Sequence, residues 1–200
     1  RLDGVSSTVK ISSVAGAVTG IHRGGEMEIV DVGPVRLTLQ GTHARFLELK
    51  QPVTLDLRNA ECEIAQPQGT VEIEQINSEV KILQPAGTVR VGGERGRIEI
   101  EGPANETRVD VRRAEVEVLL REAVSVTLVT TDEDLRLLLD GPPSIRLDAV
   151  APNGEIATPG LDVKSETSDR ESRLTHTFGD GDGRVSLRNM RGQIVIRMAK

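Results

Sequence analysis

Residues 69–101 have the sequence GTVEIEQINSEVKILQPAGTVRVGGERGRIEIE, and this stretch decides the fold. Pairs of β-branched residues flanking one charged residue recur in it every nine residues, and these pairs are Val71/Ile73, Val80/Ile82, Val89/Val91 and Ile98/Ile100. Alternation of apolar and polar residues places the apolar side chains on one face of an extended strand and the charged ones on the other. Gly, Pro, Asn and Ser fill the gaps, as turns require. The stretch therefore predicts short β-strands joined by tight turns.

The same rhythm continues on both sides of this stretch. Its mean spacing predicts about twenty short strands of about five residues each. Windows with helical spacing are interrupted by Gly or Pro, so we expect no helix. The polar segment 152–173 departs from the rhythm, and for it we expect an irregular loop with weak strands near Ile156 and Val163. These features predict a single all-β domain over residues 1–200.

The composition disfavours several classes of partner. The formal net charge is −6 and the pI is near 5.2, whereas nucleic acids and anionic membranes bind basic surfaces. Two Phe, with no Tyr or Trp, leave little aromatic surface for stacking on bases or sugars. No apolar run approaches the roughly 18 residues of a membrane-spanning helix. We therefore expect a protein or surface partner, with no nucleic acid and no membrane span in this chain.

Charges on the outward positions distinguish an antiparallel sandwich or barrel from a solenoid. If consecutive strands were neighbours, like charges would face each other in pairs such as Lys81/Arg90, which destabilises a sheet. Stacking every second strand leaves one like-charged pair, Glu99/Glu117, and gives four pairs of opposite charge, namely Glu72/Arg90, Arg90/Asp110, Lys81/Glu99 and Glu117/Arg136. Stacking every third strand gives an equally favourable set. The charges thus predict a parallel β-helix, or β-solenoid, with two or three faces per coil.

In such a solenoid we expect Ile82, Ile98 and Val116 to point inward in stacked rows. The two ends of the stack would expose open strand edges, which need covering. The segments available as caps are residues 1–7 and residues 197–200. End-to-end or side-by-side self-association is therefore among the expected interactions.

The closing segment, residues 179–197, has the sequence GDGDGRVSLRNMRGQIVIR. Together with the repeated Gly-x-Val/Ile-x-Val/Ile phrase, it resembles the adhesin-like family of bacterial β-helical domains of unknown function (the DUF4097 type, related to DUF2807). The resemblance implies a right-handed β-helix that is exported or envelope-associated, and hence an extracytoplasmic location in the periplasm or at the cell surface. The family has no established reaction and no agreed functional residues, so the resemblance assigns none here.

Two acidic residues are weak candidates for a metal site. Asp180 and Asp182 alternate with glycine as in calcium loops, but calcium requires six to eight oxygen ligands. A tight turn between two strands accounts for this sequence better. The histidines lack the spacing of metal ligands and are His22, His43 and His176. We expect no metal and no cofactor.

Catalytic candidates are equally sparse. Carboxylates that could share an outer face and perform glycosidase-type acid–base chemistry are Glu72, Glu99, Glu115 and Glu117. A solvated, charged face would have the same composition. The single cysteine, Cys62, occupies an apolar position of an alternating strand, where we expect it to be buried and unreactive. The sequence therefore predicts no catalytic residues.

Three functional hypotheses remain. The leading one is a non-catalytic domain of the bacterial envelope or cell surface, adhesin-like or acting as a scaffold. The alternatives are a carbohydrate-active β-helix enzyme and a self-assembling β-helical filament subunit. Loops that project from a repeat scaffold commonly form its binding surface, so segment 152–173 is the expected contact region. Its charged candidates are Lys164, Glu166, Asp169 and Arg170.

Overall fold

The computed structural model describes residues 1–141, 144–168 and 170–199. Over these ranges the chain forms sixteen β-strands and no helix, so it has no helix that could cross a membrane. The strands are β1 (Leu2–Val14), β2 (Val18–Val32), β3 (Val35–Leu47), β4 (Val53–Arg58), β5 (Glu61–Ala65), β6 (Val71–Leu83), β7 (Val89–Glu101), β8 (Thr107–Leu120), β9 (Ser125–Thr130), β10 (Leu135–Leu139), β11 (Ile145–Pro152), β12 (Glu155–Ala157), β13 (Glu166–Ser168), β14 (Glu171–Phe178), β15 (Gly183–Asn189) and β16 (Gln193–Met198).

The strands stack in parallel as the coils of a flattened solenoid. Val53 pairs with Val71 and Val71 pairs with Val89, a step of 18 residues per coil. Each coil has two legs: the first leg of β6 lies on β4 and its second leg lies on β5. The prediction of a parallel β-solenoid is confirmed, and the coils have two faces. The right-handed sense that the family resemblance implies stays a prediction.

The strands are fewer and longer than predicted. β6 has 13 residues, and its two legs meet at Asn77, whose φ of 51° lies in the left-handed region. The ladder to β7 pairs Ile76 with Glu94 and Ser78 with Gly96, so it skips only the corner residue. The predicted short strands correspond to legs of this kind, and joining two legs in each long strand reduces their number from about twenty to sixteen. A single left-handed residue turns the corner without ending the strand, and alternation of side chains does not reveal this.

Inward side chains form columns along the stack. Val80, Ile98 and Val116 pair in register, and Ile82 lies in a second column between Ile64 and Ile100. None of these side chains is more than 2% exposed, which confirms the predicted inward rows. Full burial of one such side chain stabilises the fold by about 1.5–3 kcal/mol. The stack of columns is the hydrophobic core.

The outward charges pair across the ladder much as predicted. Three of the four expected pairs are present, namely Glu72–Arg90 at 3.3 Å, Lys81–Glu99 at 2.7 Å and Glu117–Arg136 at 4.0 Å. The prediction of the fourth pair, Arg90 with Asp110, is wrong. Arg90 faces Arg108 instead, because the coil step is 18 residues and Asp110 lies two residues beyond it.

The coils follow chain order from β1 to β9–β10, but the C-terminal coil does not. β15 lies between β9 and β11, and β16 lies between β10 and β12. The C-terminal coil is therefore inserted between two coils that precede it in sequence. Ile194 is 0% exposed because it pairs with Leu135 on one side and with Ile156 on the other.

Residues 197–199 are consequently not a cap. Arg197 and Met198 end β16 and pair with β10, Ala199 N donates to Leu139 O at 2.8 Å, and Lys200 lies outside the described residues. β16 lies beside β10 because it follows β15 into the space between two coils, a position that the alternation of its side chains does not predict. Residues 2–7, the other expected cap, form the first leg and corner of β1.

The end of the stack beyond β11 is closed by a hairpin. β14 pairs antiparallel with β11, and β13 pairs antiparallel with β14. Segment 152–173 is thus more ordered than predicted. The weak strand near Ile156 is confirmed as β12, whereas Val163 lies in no strand.

Candidate functional site

The hairpin and the adjacent corner border an open cleft of about 600 Å³ at this end of the stack, which we call the cap cleft. The hairpin contributes residues from β13, β14 and the turn between them, and the corner contributes the start of β12. The lining residues are Asn153, Gly154, Glu155, Ile156, Ser165, Thr167, Ser168, Arg170, Glu171 and Ser172. Most of them carry polar side chains, so the cap cleft is suited to a polar ligand.

Hydrogen bonds fix the hydroxyl groups of the cap cleft to the solenoid. Ser172 is 3% exposed, and its Oγ donates to Gly154 O at 3.1 Å. Thr167 Oγ1 lies 3.4 Å from Ser172 Oγ, and Ser165 Oγ donates to Ile156 O at 3.2 Å. The hairpin is therefore held at both of its sides. Such a surface is preorganised for binding because fewer groups must be ordered when a partner arrives.

The structure brings only part of the predicted contact region to this cleft. Arg170 lines it, and its carbonyl oxygen accepts a hydrogen bond from Asn153 N at 2.6 Å. Glu166 begins β13 opposite Arg173 and is exposed. Lys164 is exposed beside the cleft, and Asp169 lies outside the described residues. Sequence reasoning missed the hydroxyl residues because their role depends on pairing between β13 and β14.

The turn with Asp180 and Asp182 connects β14 to β15 across the start of β11. Asp182 Oδ2 accepts a hydrogen bond from Ser144 Oγ at 2.9 Å, and Gly183 N donates to Ser144 O at the same distance. Through these bonds Asp182 and Gly183 hold the turn against Ser144, which precedes β11. The described residues contain no cluster of three or more His, Cys, Asp or Glu side chains that could hold a metal. The expectation that this turn binds no metal stays a prediction.

The carboxylates considered for catalysis each lie beside a cation. Lys81 Nζ contacts Glu99 at 2.7 Å and Glu101 at 3.2 Å, while Glu115 and Glu117 both contact Arg136. The hydrogen bond from Lys81 lowers the pKa of Glu99 below its ordinary value. A glycosidase acid needs the opposite shift, because it must hold its proton near neutral pH. These ion pairs favour a stabilising role for the charged face.

A buried histidine near the other end was not anticipated. His22 is 0% exposed, its Nε2 lies 3.3 Å from Ser7 Oγ, and its Nδ1 lies 3.3 Å from Thr42 Oγ1. A serine next to a histidine is the arrangement of an activated nucleophile, in which a third group orients the base. Here that third group is a neutral hydroxyl, which in turn donates to Gln40 O at 3.2 Å. His22 and Thr42 are buried and Ser7 is exposed, and the three side chains contact one another at this corner.

Cys62 is 4% exposed and lies in an inward column, as predicted. Burial raises the pKa of its thiol well above the usual value. The thiol is therefore protonated at neutral pH and shielded from reagents.

Comparison with known proteins adds little to this picture. No family model and no curated protein matches the chain. A solved structure that resembles part of it is that of a "putative cell adhesion protein" from Clostridium sporogenes ATCC 15579. The two chains are 15% identical, the match covers 56% of each chain, and the TM-score is 0.36. This likeness carries no argument about function, and the family resemblance of the sequence stays a prediction.

Proposed function

We propose that this chain is a non-catalytic, adhesin-like or scaffold domain of the bacterial envelope or cell surface, which binds a partner protein through its cap cleft. The observation that carries the proposal is the cleft itself. A stack of parallel coils holds a hairpin whose hydroxyl groups are fixed by hydrogen bonds around a volume of about 600 Å³. The envelope location rests on the family resemblance of the sequence.

The chemistry of the cap cleft suits an extended polar peptide segment. Its rim carries charges of both signs, from Arg170 on one hand and Glu155 and Glu171 on the other. The oxygens of Ser165 and Ser172 can still accept hydrogen bonds from a ligand, because their hydroxyl groups already donate to backbone carbonyls. The short strand β13 pairs with β14 and with no other described strand, so a peptide can add to its free edge.

A carbohydrate-active enzyme is the weaker hypothesis. The ion pair with Lys81 lowers the pKa of Glu99, so this carboxyl is poorly suited to donate a proton to a leaving group. Glu115 and Glu117 share Arg136 as a partner. Such pairs support the stack, because opposite charges on neighbouring strands stabilise a sheet.

Binding to a random-peptide array and to a glycan array tests the proposal. Two variants perturb the cap cleft: Ser168→Tyr fills it and Arg170→Glu reverses a rim charge. The matched control is Arg58→Glu, because Arg58 is exposed on a flank, where it contacts only Asp56 at 3.5 Å among its ion-pair partners. We expect both cleft variants to weaken binding of the selected peptides at least about ten-fold and the control to leave it unchanged.

Two outcomes would contradict the proposal. Equal peptide binding by all variants would show that the cap cleft is not the contact region. Cleavage of an acidic polysaccharide, abolished by Glu99→Gln, would establish the enzyme hypothesis instead. Thermal unfolding of each variant should be recorded first, so that loss of binding is not confused with loss of the fold.

A further inference from the structure

The two ends of the solenoid are built differently. The hairpin β13–β14 closes one end, whereas β1 at the other end pairs only with β2 in the described part of the chain. β1 has 13 residues and presents a continuous edge of backbone donors and acceptors. Its inward apolar side chains are incompletely covered: Leu2, Val9 and Ile11 are half-buried. This edge can therefore pair with a further strand.

From this edge we propose that two copies of the chain associate head to head through β1 and form a closed dimer with twofold symmetry. The proposal is independent of the function proposed for the cap cleft, which lies at the opposite end. Its twofold axis passes through the corner of β1 at Ser6 and Ser7, where Ser6, with a φ of 49°, turns the first leg of β1 into the second.

The shape of the coil determines how the two edges meet. A twofold axis through the corner, perpendicular to the stacking direction, places the first leg of one copy on the second leg of the other. Legs related in this way run antiparallel. Because inward side chains must face inward side chains, the allowed registers differ by two residues. In the two registers whose centre lies next to Ser6, Leu2 faces either Val9 or Ile11 of the second copy.

Charge selects between these registers. If Leu2 faces Ile11 of the second copy, Asp3 faces Lys10, and symmetry produces this pair twice. If Leu2 faces Val9, Arg1 faces Lys10 and like charges oppose each other. Directly opposed like charges destabilise a sheet, so we assign the first register. It also places Gly4 opposite Val9, a small residue against a larger one.

The difference between the ends favours a closed dimer over a filament. A filament needs a head-to-tail contact in which two different edges complement each other. At the tail, β13 is a three-residue edge strand and β12 lies beneath the hairpin, whose Ser165 Oγ donates to Ile156 O at 3.2 Å. A head-to-head contact uses the same long edge twice and leaves both hairpins outermost.

The mass in solution, measured by analytical ultracentrifugation over a range of concentrations, tests the dimer. We expect the wild-type chain to approach twice its mass of 21.6 kDa as concentration rises. Asp3→Lys and Lys10→Asp should each weaken dimerisation about ten-fold or more, because each places two like-charged pairs across the axis. The double variant Asp3→Lys/Lys10→Asp should restore it.

The double variant is the informative control. Lys10 also contacts Glu28 of its own copy at 3.5 Å, and the charge exchange does not restore that pair. Recovery of the dimer by the double variant therefore reports only the pairing between copies. Ser168→Tyr, which fills the cap cleft, should leave the dimer unchanged and so separates this proposal from the one on binding.

A cysteine at the corner provides a second test that does not depend on charge. Ser6→Cys should form a disulfide between copies on mild oxidation, because the axis brings the two corners together. Gln68→Cys, an exposed corner residue of a middle coil, should not. A wild-type chain that stays monomeric at all accessible concentrations would overturn the proposal. So would a dimer that ignores both charge variants and lacks the Ser6→Cys cross-link.

Discussion

Replacing Ile98 by Ala is expected to lower the free energy of unfolding by about 3–5 kcal/mol. Ile98 is 0% exposed and lies in register between Val80 and Val116, so coils on both sides bound the cavity that the substitution leaves. Backbone ladders hold those coils about 4.8 Å apart, and the neighbouring side chains cannot move in to close it. Core substitutions of this kind cost about 2–5 kcal/mol, and the cost rises when the site cannot collapse. The upper part of that range therefore applies.

Urea unfolding followed by circular dichroism measures this loss, provided that wild type and variant unfold with the same slope. Ile98→Val should cost about 0.5–1.5 kcal/mol. The matched control is Ile76→Ala, since Ile76 points outward from β6 and is 39% exposed; we expect a change within about 0.5 kcal/mol. A loss below about 1 kcal/mol for Ile98→Ala, or one equal to that of the control, would refute the closed column of inward side chains.

Three further predictions concern the charged face, the acidic turn and the C-terminal coil. Glu99→Gln should lower the free energy of unfolding by less than about 1 kcal/mol at pH 7. Because Lys81 lowers the pKa of Glu99 below 4.5, that difference should disappear as the pH falls through the lowered value. It should also disappear as the pH rises through the raised pKa of Lys81, above 10.5, and urea titrations across pH check both limits. The melting temperature of the wild type should be the same in calcium as in chelator, and that of Asp182→Ala should likewise not depend on calcium. A calcium-dependent rise in the melting temperature of the wild type would contradict a metal-free turn. Asn189→Ala should cost about 3 kcal/mol, because Asn189 is 0% exposed and bonds three backbone groups of its corner. Faster hydrogen exchange in β15 and β16 should accompany that loss, and unchanged exchange would contradict it.

The parallel stack could be predicted from the sequence because each coil repeats the same requirement. Ile82 and Ile98 alternate with charged residues, so one face of every strand must be buried. The charges on the other face then choose the neighbour, as Lys81 and Glu99 show at 2.7 Å. The error at Asp110 has the same origin, because a charge tally without the true coil step selects a partner two residues out of register.

The cap cleft could not be predicted because its residues have no periodicity. Ser165, Thr167 and Ser172 are ordinary polar residues in the sequence, and an irregular loop would contain the same ones. Only the antiparallel pairing of β13 with β14 gathers them around one volume. The contact between Ser7 and His22 could not be predicted for a similar reason. The two residues are 15 apart in the sequence, and the stacking of β1 on β2 brings Ser7 Oγ to 3.3 Å from His22 Nε2.

The position of the C-terminal coil in the stack could not be predicted from the repeat pattern, and the reason is physical. A parallel ladder forms equally well between any two coils of the same length, so the alternation that defines a coil says nothing about its order in the stack. Order depends on the connections, and here the turn before Gly183 passes over Ser144 and lets β15 enter beside β11. The space between β9–β10 and β11–β12 can be filled only when residues 183–198 are present. Asn189 then fastens the inserted coil by donating to Glu133 O at 2.7 Å, a bond that no coil added at the end of the stack could make.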